Sequence, residues 1–103
     1  MHASLHERRA AIEALCRRFG AVRLEVFGSA RRGDFDPDAS DADFLVTFAP
    51  DRRDDLAAFL DLKESLEALL GRRVDLVERE AVEASRNPIR RRRILAEAET
   101  VFG

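Results

Sequence analysis

Two apolar strands, joined by a glycine turn and an acidic linker, constrain the fold of this chain more than any other feature. Residues 22–27 alternate with period two and run into Gly28-Ser29. A second strand over residues 41–48 begins with Asp41 and Asp43 and continues as an apolar alternation. Because successive side chains of a strand point to opposite faces, these two carboxylates share a face. The pattern predicts a sheet with carboxylates at one end and apolar core at its middle.

The carboxylate pair and the glycine turn together indicate a metal–nucleotide site. Neighbouring carboxylates repel each other unless a cation lies between them. In nucleotide sites Mg²⁺ is usually held by one or two carboxylates together with substrate phosphates. The Gly28-Ser29 turn lets backbone N–H groups and a hydroxyl approach a phosphate. By itself, however, an Asp-x-Asp pair is also common where a strand begins in solvent.

Helical patterns alternate with these strands along the chain. Ser4 and Glu7 form a capping box before an apolar stripe that ends at Gly20. Asp54 or Asp55 caps a second helix that Gly71 ends, and its predicted apolar stripe consists of Leu56, Phe59, Leu60, Leu66, Leu69 and Leu70. A third strand follows over residues 72–77.

The last helix begins at Asn87-Pro88 and extends to Glu99, and its predicted buried face consists of Ile89, Ile94, Leu95 and Ala98. Short helices are expected over residues 30–32 and 81–85. This order of elements predicts an α/β (α+β) fold, with a small mixed β-sheet flanked by helices. A length of 103 residues predicts one domain, 1–103.

Asp75 is the third candidate carboxylate, because it interrupts the apolar alternation of the third strand. If that strand lies beside residues 41–48, Asp75 completes an acidic triad with Asp41 and Asp43. Such a triad suits in-line attack on the α-phosphorus of a nucleoside triphosphate. The alternative is a structural role, in which Asp75 caps a turn or pairs with Arg72 or Arg73. The residues alone leave both readings open.

Composition restricts the class of partner. Eighteen basic and twenty acidic residues give a net charge of −2, which argues against a general nucleic-acid coat protein. The run Arg90–Arg93 cannot face one ligand as a whole, because four consecutive helical positions span most of a turn. The run invites an RNA or triphosphate hypothesis, but a solvated flank or a contact for an acidic partner is favoured there over nucleic-acid binding.

The single cysteine and the hydropathy of the chain indicate a compartment. Cys16 lies in an apolar helical stripe, which is typical of a small core residue in a reducing cytoplasm. No apolar run approaches the roughly 20 residues that a membrane span requires. We therefore expect a cytoplasmic protein without a membrane partner.

The combined motif resembles that of a known family. Gly28-Ser29, Arg32-Gly33 and then Ser40-Asp41-Ala42-Asp43-Phe44-Leu45-Val46 resemble the signature of minimal nucleotidyltransferases, in the DNA polymerase β-like nucleotidyltransferase superfamily. Val74-Asp75-Leu76-Val77 resembles that family's third acidic strand, and the helix from Asn87 its C-terminal helix. The resemblance covers nearly the whole chain. Arg31 departs from it, since the motif has alanine before Arg-Gly.

The resemblance implies a role for each matching residue. Gly28 and Ser29 would contact the triphosphate, with Arg32 and Ser40 as further nucleotide-binding residues of the same motif. Asp41 and Asp43 would bind Mg²⁺. Asp75 would complete the catalytic and metal-binding set and polarise the acceptor hydroxyl.

The resemblance also implies a reaction and a partner. The reaction is transfer of AMP from ATP with release of pyrophosphate. Many relatives are antitoxins that adenylylate a tyrosine of a helical HEPN-type toxin, which predicts a hetero-oligomer. This chain has no tyrosine, so such an acceptor lies in another protein. The alternatives are a binding module that neutralises its partner by stoichiometric contact, and a nucleotidyltransferase acting on a small molecule or RNA.

Overall fold

A four-stranded mixed sheet with helices on both faces organises residues 7–28 and 42–103, which are the residues that this computed structural model describes. In chain order the elements are α1 (Arg9–Phe19), β1 (Ala21–Phe27), β2 (Ala42–Phe48), a 3₁₀ turn (Pro50–Arg52), α2 (Leu56–Leu70), β3 (Val74–Glu78), α3 (Arg79–Glu83), α4 (Pro88–Glu97) and β4 (Glu99–Phe102).

The strands lie in the order β3-β2-β1-β4. β1 pairs antiparallel with both β2 and β4, whereas β2 pairs parallel with β3. A parallel pair requires a crossover connection, and α2 supplies it. The predicted mixed sheet flanked by helices is therefore confirmed, and so are its three predicted strands.

The sheet separates two apolar clusters. On one face, α1 and α2 cover the larger cluster, in which Ile12, Leu24, Phe44 and Leu62 are fully buried. On the other face, Leu45 packs with Val82 of α3 and Ile94 of α4 in a smaller cluster. Alternate residues of β2 thus contribute to opposite clusters, as its period-two pattern predicts. The second face also carries Asp43.

The predicted capping residues are found at the observed ends of the helices. The Asp55 side chain accepts a hydrogen bond from the Ala58 amide at 3.0 Å, and Asn87 Oδ1 accepts one from the Arg90 amide at 3.1 Å. Gly20 and Gly71 end α1 and α2 in the left-handed conformation. The predicted capping box at Ser4 and the short helix over residues 30–32 lie outside the described residues.

The predicted C-terminal end of the last helix is wrong. The last helix ends at Glu97 rather than Glu99, and after Ala98 the residues Glu99–Phe102 pair with β1 as the edge strand β4. Val101 of this strand is fully buried. A four-residue strand offers too short an alternation to compete with a preceding helical pattern, although Thr100, Val101 and Phe102 all favour extended structure.

Three predicted core residues are exposed. Leu56 and Leu60 of α2 are 67% and 46% exposed, and Ile89 of α4 is 80% exposed. The buried line along α2 consists of Ala58, Leu62 and Leu66. A helix with leucine around much of its circumference buries only the stripe that faces the sheet. The short helix predicted over residues 81–85 begins two residues earlier, directly after β3.

In the part of the chain that the structure describes, the helices all fall short of the length and apolarity that crossing a bilayer requires.

Candidate active site

The sheet register places Asp43 beside Asp75. In the parallel ladder these two residues are direct partners, and on its other side Asp43 is opposite Phe27 of β1. Neighbouring strands lie about 4.8 Å apart, so adjacent residues on one face have neighbouring side chains. The Asp43 side chain is half-buried, whereas Asp75 is exposed at the edge strand. Two carboxylates from distant parts of the sequence therefore meet on one sheet face.

Gly28 leaves the space that the Asp43 carboxylate occupies. Its φ of +72° lies in the left-handed region, which favours glycine. A Cβ atom at this position would stand 2.9 Å from Asp43 Oδ2. The carboxylate thus lies close to Gly28, at the end of β1.

These groups line one wall of a cleft of about 200 Å³. The sheet contributes Phe27, Gly28, Asp43 and Asp75, and α4 contributes Arg90, Arg93, Ile94 and Glu97. Ile94 is buried in the smaller apolar cluster, so it anchors α4 against this face of the sheet. The sheet wall therefore carries two carboxylates, whereas the α4 wall carries two guanidinium groups together with the Glu97 carboxylate.

The structure brings together the predicted residues Gly28, Asp43 and Asp75. The other predicted residues are Ser29, Arg32, Ser40 and Asp41, and they lie outside the described residues. No set of three histidine, cysteine, aspartate or glutamate side chains converges within residues 7–28 and 42–103. The described pair nevertheless fits an oxygen-liganded cation, because two adjacent carboxylates are the hard donors that Mg²⁺ prefers.

Sequence reasoning missed Arg90 and Arg93 as residues of the cleft. The run of four arginines divides, as its helical geometry requires: Arg91 donates from Nη1 to the carbonyl oxygen of Ser85 at 2.9 Å, and Arg92 is exposed. The signal was present in the spacing. Positions 90, 93, 94 and 97 share one helical face, and Ile94 identifies that face as the one turned to the sheet.

A buried ion pair supports the same sheet face behind the cleft. Glu25 of β1 is only 2% exposed, and Arg79 Nη1 donates to its two carboxylate oxygens at 2.6 and 2.7 Å. Arg23 Nε lies 3.4 Å from Oε1 of the same carboxylate. The hydrogen bond to Glu25 raises the pKa of Arg79 above its ordinary value. The pair ties the centre of β1 to the junction between β3 and α3.

The strand that carries Asp75 is fixed at its start by Glu67 of α2. The Glu67 carboxylate accepts a hydrogen bond from the Val74 amide at 3.0 Å, and Lys63 Nζ lies 3.4 Å away. The amide hydrogen bond, helped by Lys63, holds the pKa of Glu67 below its usual value. Val74 directly precedes Asp75, so this contact orients the strand at the cleft.

A small mixed sheet with carboxylates on adjacent strands, beside a glycine turn, is the arrangement that the resemblance to nucleotidyltransferases predicts. Comparison with known proteins agrees with this class. The family model described as a nucleotidyltransferase domain matches residues 8–100. The chain therefore belongs to the nucleotidyltransferase domain family.

Individual relatives refine the comparison. The solved structure of a minimal nucleotidyltransferase is 42% identical, covers 96% of this chain and 95% of its own, and has a TM-score of 0.76. Protein adenylyltransferase MntA of Thermococcus cleftensis is 46% identical over 67 residues, which are 65% of this chain and 65% of that relative's length.

A more distant likeness shows the fold alone. It is to the complex of a tri-AMPylated Shewanella oneidensis HEPN toxin with its MNT antitoxin, at 20% identity and a TM-score of 0.64. It covers 96% of this chain and 72% of the other.

Proposed function

We propose that this chain is a single-domain, Mg²⁺-dependent nucleotidyltransferase that transfers AMP from ATP to a tyrosine hydroxyl of a HEPN-type toxin, and so acts as its antitoxin. The observation that carries the proposal is the pairing of Asp43 with Asp75 beside Gly28. The name of the Thermococcus relative and the AMPylated HEPN toxin in the Shewanella complex support a protein acceptor, and the tyrosine is taken from the family resemblance. The reaction belongs in the cytoplasm, without membrane or nucleic acid.

The residues divide the chemistry between them. Gly28 and Ser29 receive the triphosphate, with Arg32 and Ser40 as further contacts, and Asp41, Asp43 and Asp75 hold Mg²⁺. The bound cation supplies positive charge to the phosphates and the attacking oxygen. Asp75, exposed at the edge of the sheet, orients the acceptor hydroxyl and takes its proton.

The transfer is an in-line displacement. The acceptor oxygen forms a bond to the α-phosphorus, and the bond from that phosphorus to the oxygen bridging to the β-phosphate breaks. Pyrophosphate leaves with that bridging oxygen and its electron pair. The chain itself contains no tyrosine, so a tyrosine acceptor belongs to the partner.

Replacing the paired carboxylates tests this function. Asp43→Asn and Asp75→Asn keep the shape of the side chains and remove their charge. We expect Asp43→Asn to abolish Mg²⁺-dependent ATP binding in calorimetry. Both variants should slow transfer of label from α-labelled ATP to a HEPN-type partner by about a hundredfold or more, or about 2.7 kcal/mol.

Asp61→Asn is the matched control, because Asp61 is an exposed carboxylate of α2 outside the cleft. It should bind ATP and transfer label as the wild type does. If Asp43→Asn bound ATP and transferred label as well as Asp61→Asn does, the proposed site would be wrong. If Asp43→Asn lost transfer but still neutralised the toxin in a stable complex, stoichiometric contact would be the antitoxin mechanism.

A further inference from the structure

We propose that Arg90 and Arg93 of α4 form a polyphosphate-binding arm of the cleft and select a nucleoside triphosphate over a nucleoside monophosphate. This inference rests on the proposed function, because it assigns the part of the nucleotide that the α4 wall receives. Neither arginine belongs to the motif that suggested the site.

The position of the two arginines is the first argument. They are three residues apart, so they lie on the same helical face, and both line the cleft that contains Gly28, Asp43 and Asp75. The helix that carries them is held at three points: Asn87 caps its start, Arg91 binds the Ser85 carbonyl, and Ile94 is buried. The guanidinium groups therefore extend from a fixed wall.

The charge of the cleft is the second argument. Its sheet wall carries two carboxylates, which repel a bare polyphosphate. A nucleoside triphosphate carries more negative charge than one divalent cation neutralises, so part of it requires cationic donors. Guanidinium groups match phosphate oxygens in geometry and make charge-assisted hydrogen bonds with them. The α4 wall supplies two such groups, beside the Glu97 carboxylate and opposite the two carboxylates of the sheet.

The availability of these side chains is the third argument. In the part of the chain that the structure describes, neither guanidinium forms an ion pair, and both side chains are exposed. Arg79 differs, because Glu25 engages it. Arg53 is likewise paired with Glu80 at 3.0 Å. Arg90 and Arg93 can therefore bind a ligand without breaking an existing ion pair among these residues.

The experiment uses Arg90→Gln and Arg93→Gln, with Arg92→Gln as matched control. Arg92 is an exposed arginine on the same helix, but it does not line the cleft. Calorimetry in Mg²⁺ measures the affinity of each full-length protein for ATP, ADP and AMP, and circular dichroism checks its fold. We expect each cleft variant to bind ATP about tenfold or more weakly. AMP affinity should change by less than threefold, and Arg92→Gln should match the wild type.

The outcomes separate this inference from the proposed function. If the wild type binds ATP and both cleft variants bind it equally well, the arm is overturned while the proposed function stands. An equal loss of affinity for AMP and ATP also overturns the arm, because it indicates that the arginines contact the part of the nucleotide that AMP shares with ATP. If the cleft variants keep their ATP affinity but bind a HEPN-type partner more weakly in a parallel titration, the arm is overturned in favour of a contact with an acidic protein surface. A selective loss for ATP in a protein that transfers no AMP supports the arm and contradicts the proposed transferase.

Discussion

Gly28 has no side chain, so the Asp43 carboxylate can lie close to it. The substitution Gly28→Ala should therefore be unfavourable for two reasons. The φ of +72° disfavours any side chain by about 1–2 kcal/mol, and the added Cβ would meet Asp43 Oδ2 at 2.9 Å. We expect the carboxylate to be displaced and Mg²⁺-dependent ATP binding to weaken about tenfold or more, measured by calorimetry.

Gly71→Ala separates these two costs. Gly71 has nearly the same φ, +69°, but a Cβ there would meet nothing within 4 Å. This variant should lose about as much unfolding free energy from the backbone as Gly28→Ala and keep wild-type ATP affinity. Equal ATP affinity in the two variants would show that the close approach of Gly28 to Asp43 does not matter for the site.

At the scale of elements, the Glu25–Arg79 pair joins β1 to the start of α3. Arg79→Met leaves a carboxylate that is 2% exposed, with Arg23 at 3.4 Å as its remaining ion-pair partner among residues 7–28 and 42–103. Breaking a buried pair in this way costs about 3–5 kcal/mol, and the remaining arginine favours the lower end. Urea unfolding monitored by circular dichroism measures this loss of unfolding free energy.

Arg53→Met is the control for this change, because Arg53 forms an ion pair with Glu80 at 3.0 Å in which both side chains are exposed. Its loss should cost less than about 1 kcal/mol. Replacing both Glu25 and Arg79 with apolar residues of similar size should recover most of the stability lost in Arg79→Met. A loss below 1 kcal/mol in Arg79→Met itself would mean that the buried pair contributes little.

Local patterns in the sequence predict most of these elements. Period-two alternation located β1, β2 and β3, and the cap residues Asp55, Asn87 and Gly71 located the ends of helices. These signals depend only on neighbouring residues. β4 was missed because an edge strand of four residues depends on its pairing with β1 for its stability, and that pairing is not visible locally.

Only part of the candidate site was predictable from the sequence, because its assembly also depends on pairing and packing between distant segments. Asp75 stood out as a carboxylate within an apolar alternation, but its place beside Asp43 depends on β3 pairing in parallel with β2. The sequence left that register open. Arg90 and Arg93 were missed because their role depends on which face of α4 meets the sheet. Tertiary packing decides that face, and the sequence indicates it only through the apolar residues Ile94, Leu95 and Ala98.

At the scale of the whole molecule, Cys16 should lower the stability of the folded chain at alkaline pH. It belongs to α1 and is fully buried in the cluster beneath α1 and α2, and that burial, with a smaller effect of Glu13, raises its pKa from 9.0 to about 12. Between these values the folded chain keeps a proton that the unfolded chain loses. Stability therefore falls as pH rises from 9 towards 12, by at most about 1.4 kcal/mol per pH unit.

Composition makes this prediction accessible to measurement. The chain has no tyrosine and a single lysine, Lys63, so few other side chains lose a proton in this range. Urea unfolding between pH 8 and 11 should show the decline in the wild type and in Lys63→Arg, which keeps its charge throughout. Cys16→Ala should be less stable at pH 8, because a small cavity replaces the thiol, but its stability should change little with pH. If its decline with pH matched the wild type, ionisation of Cys16 would not be the cause.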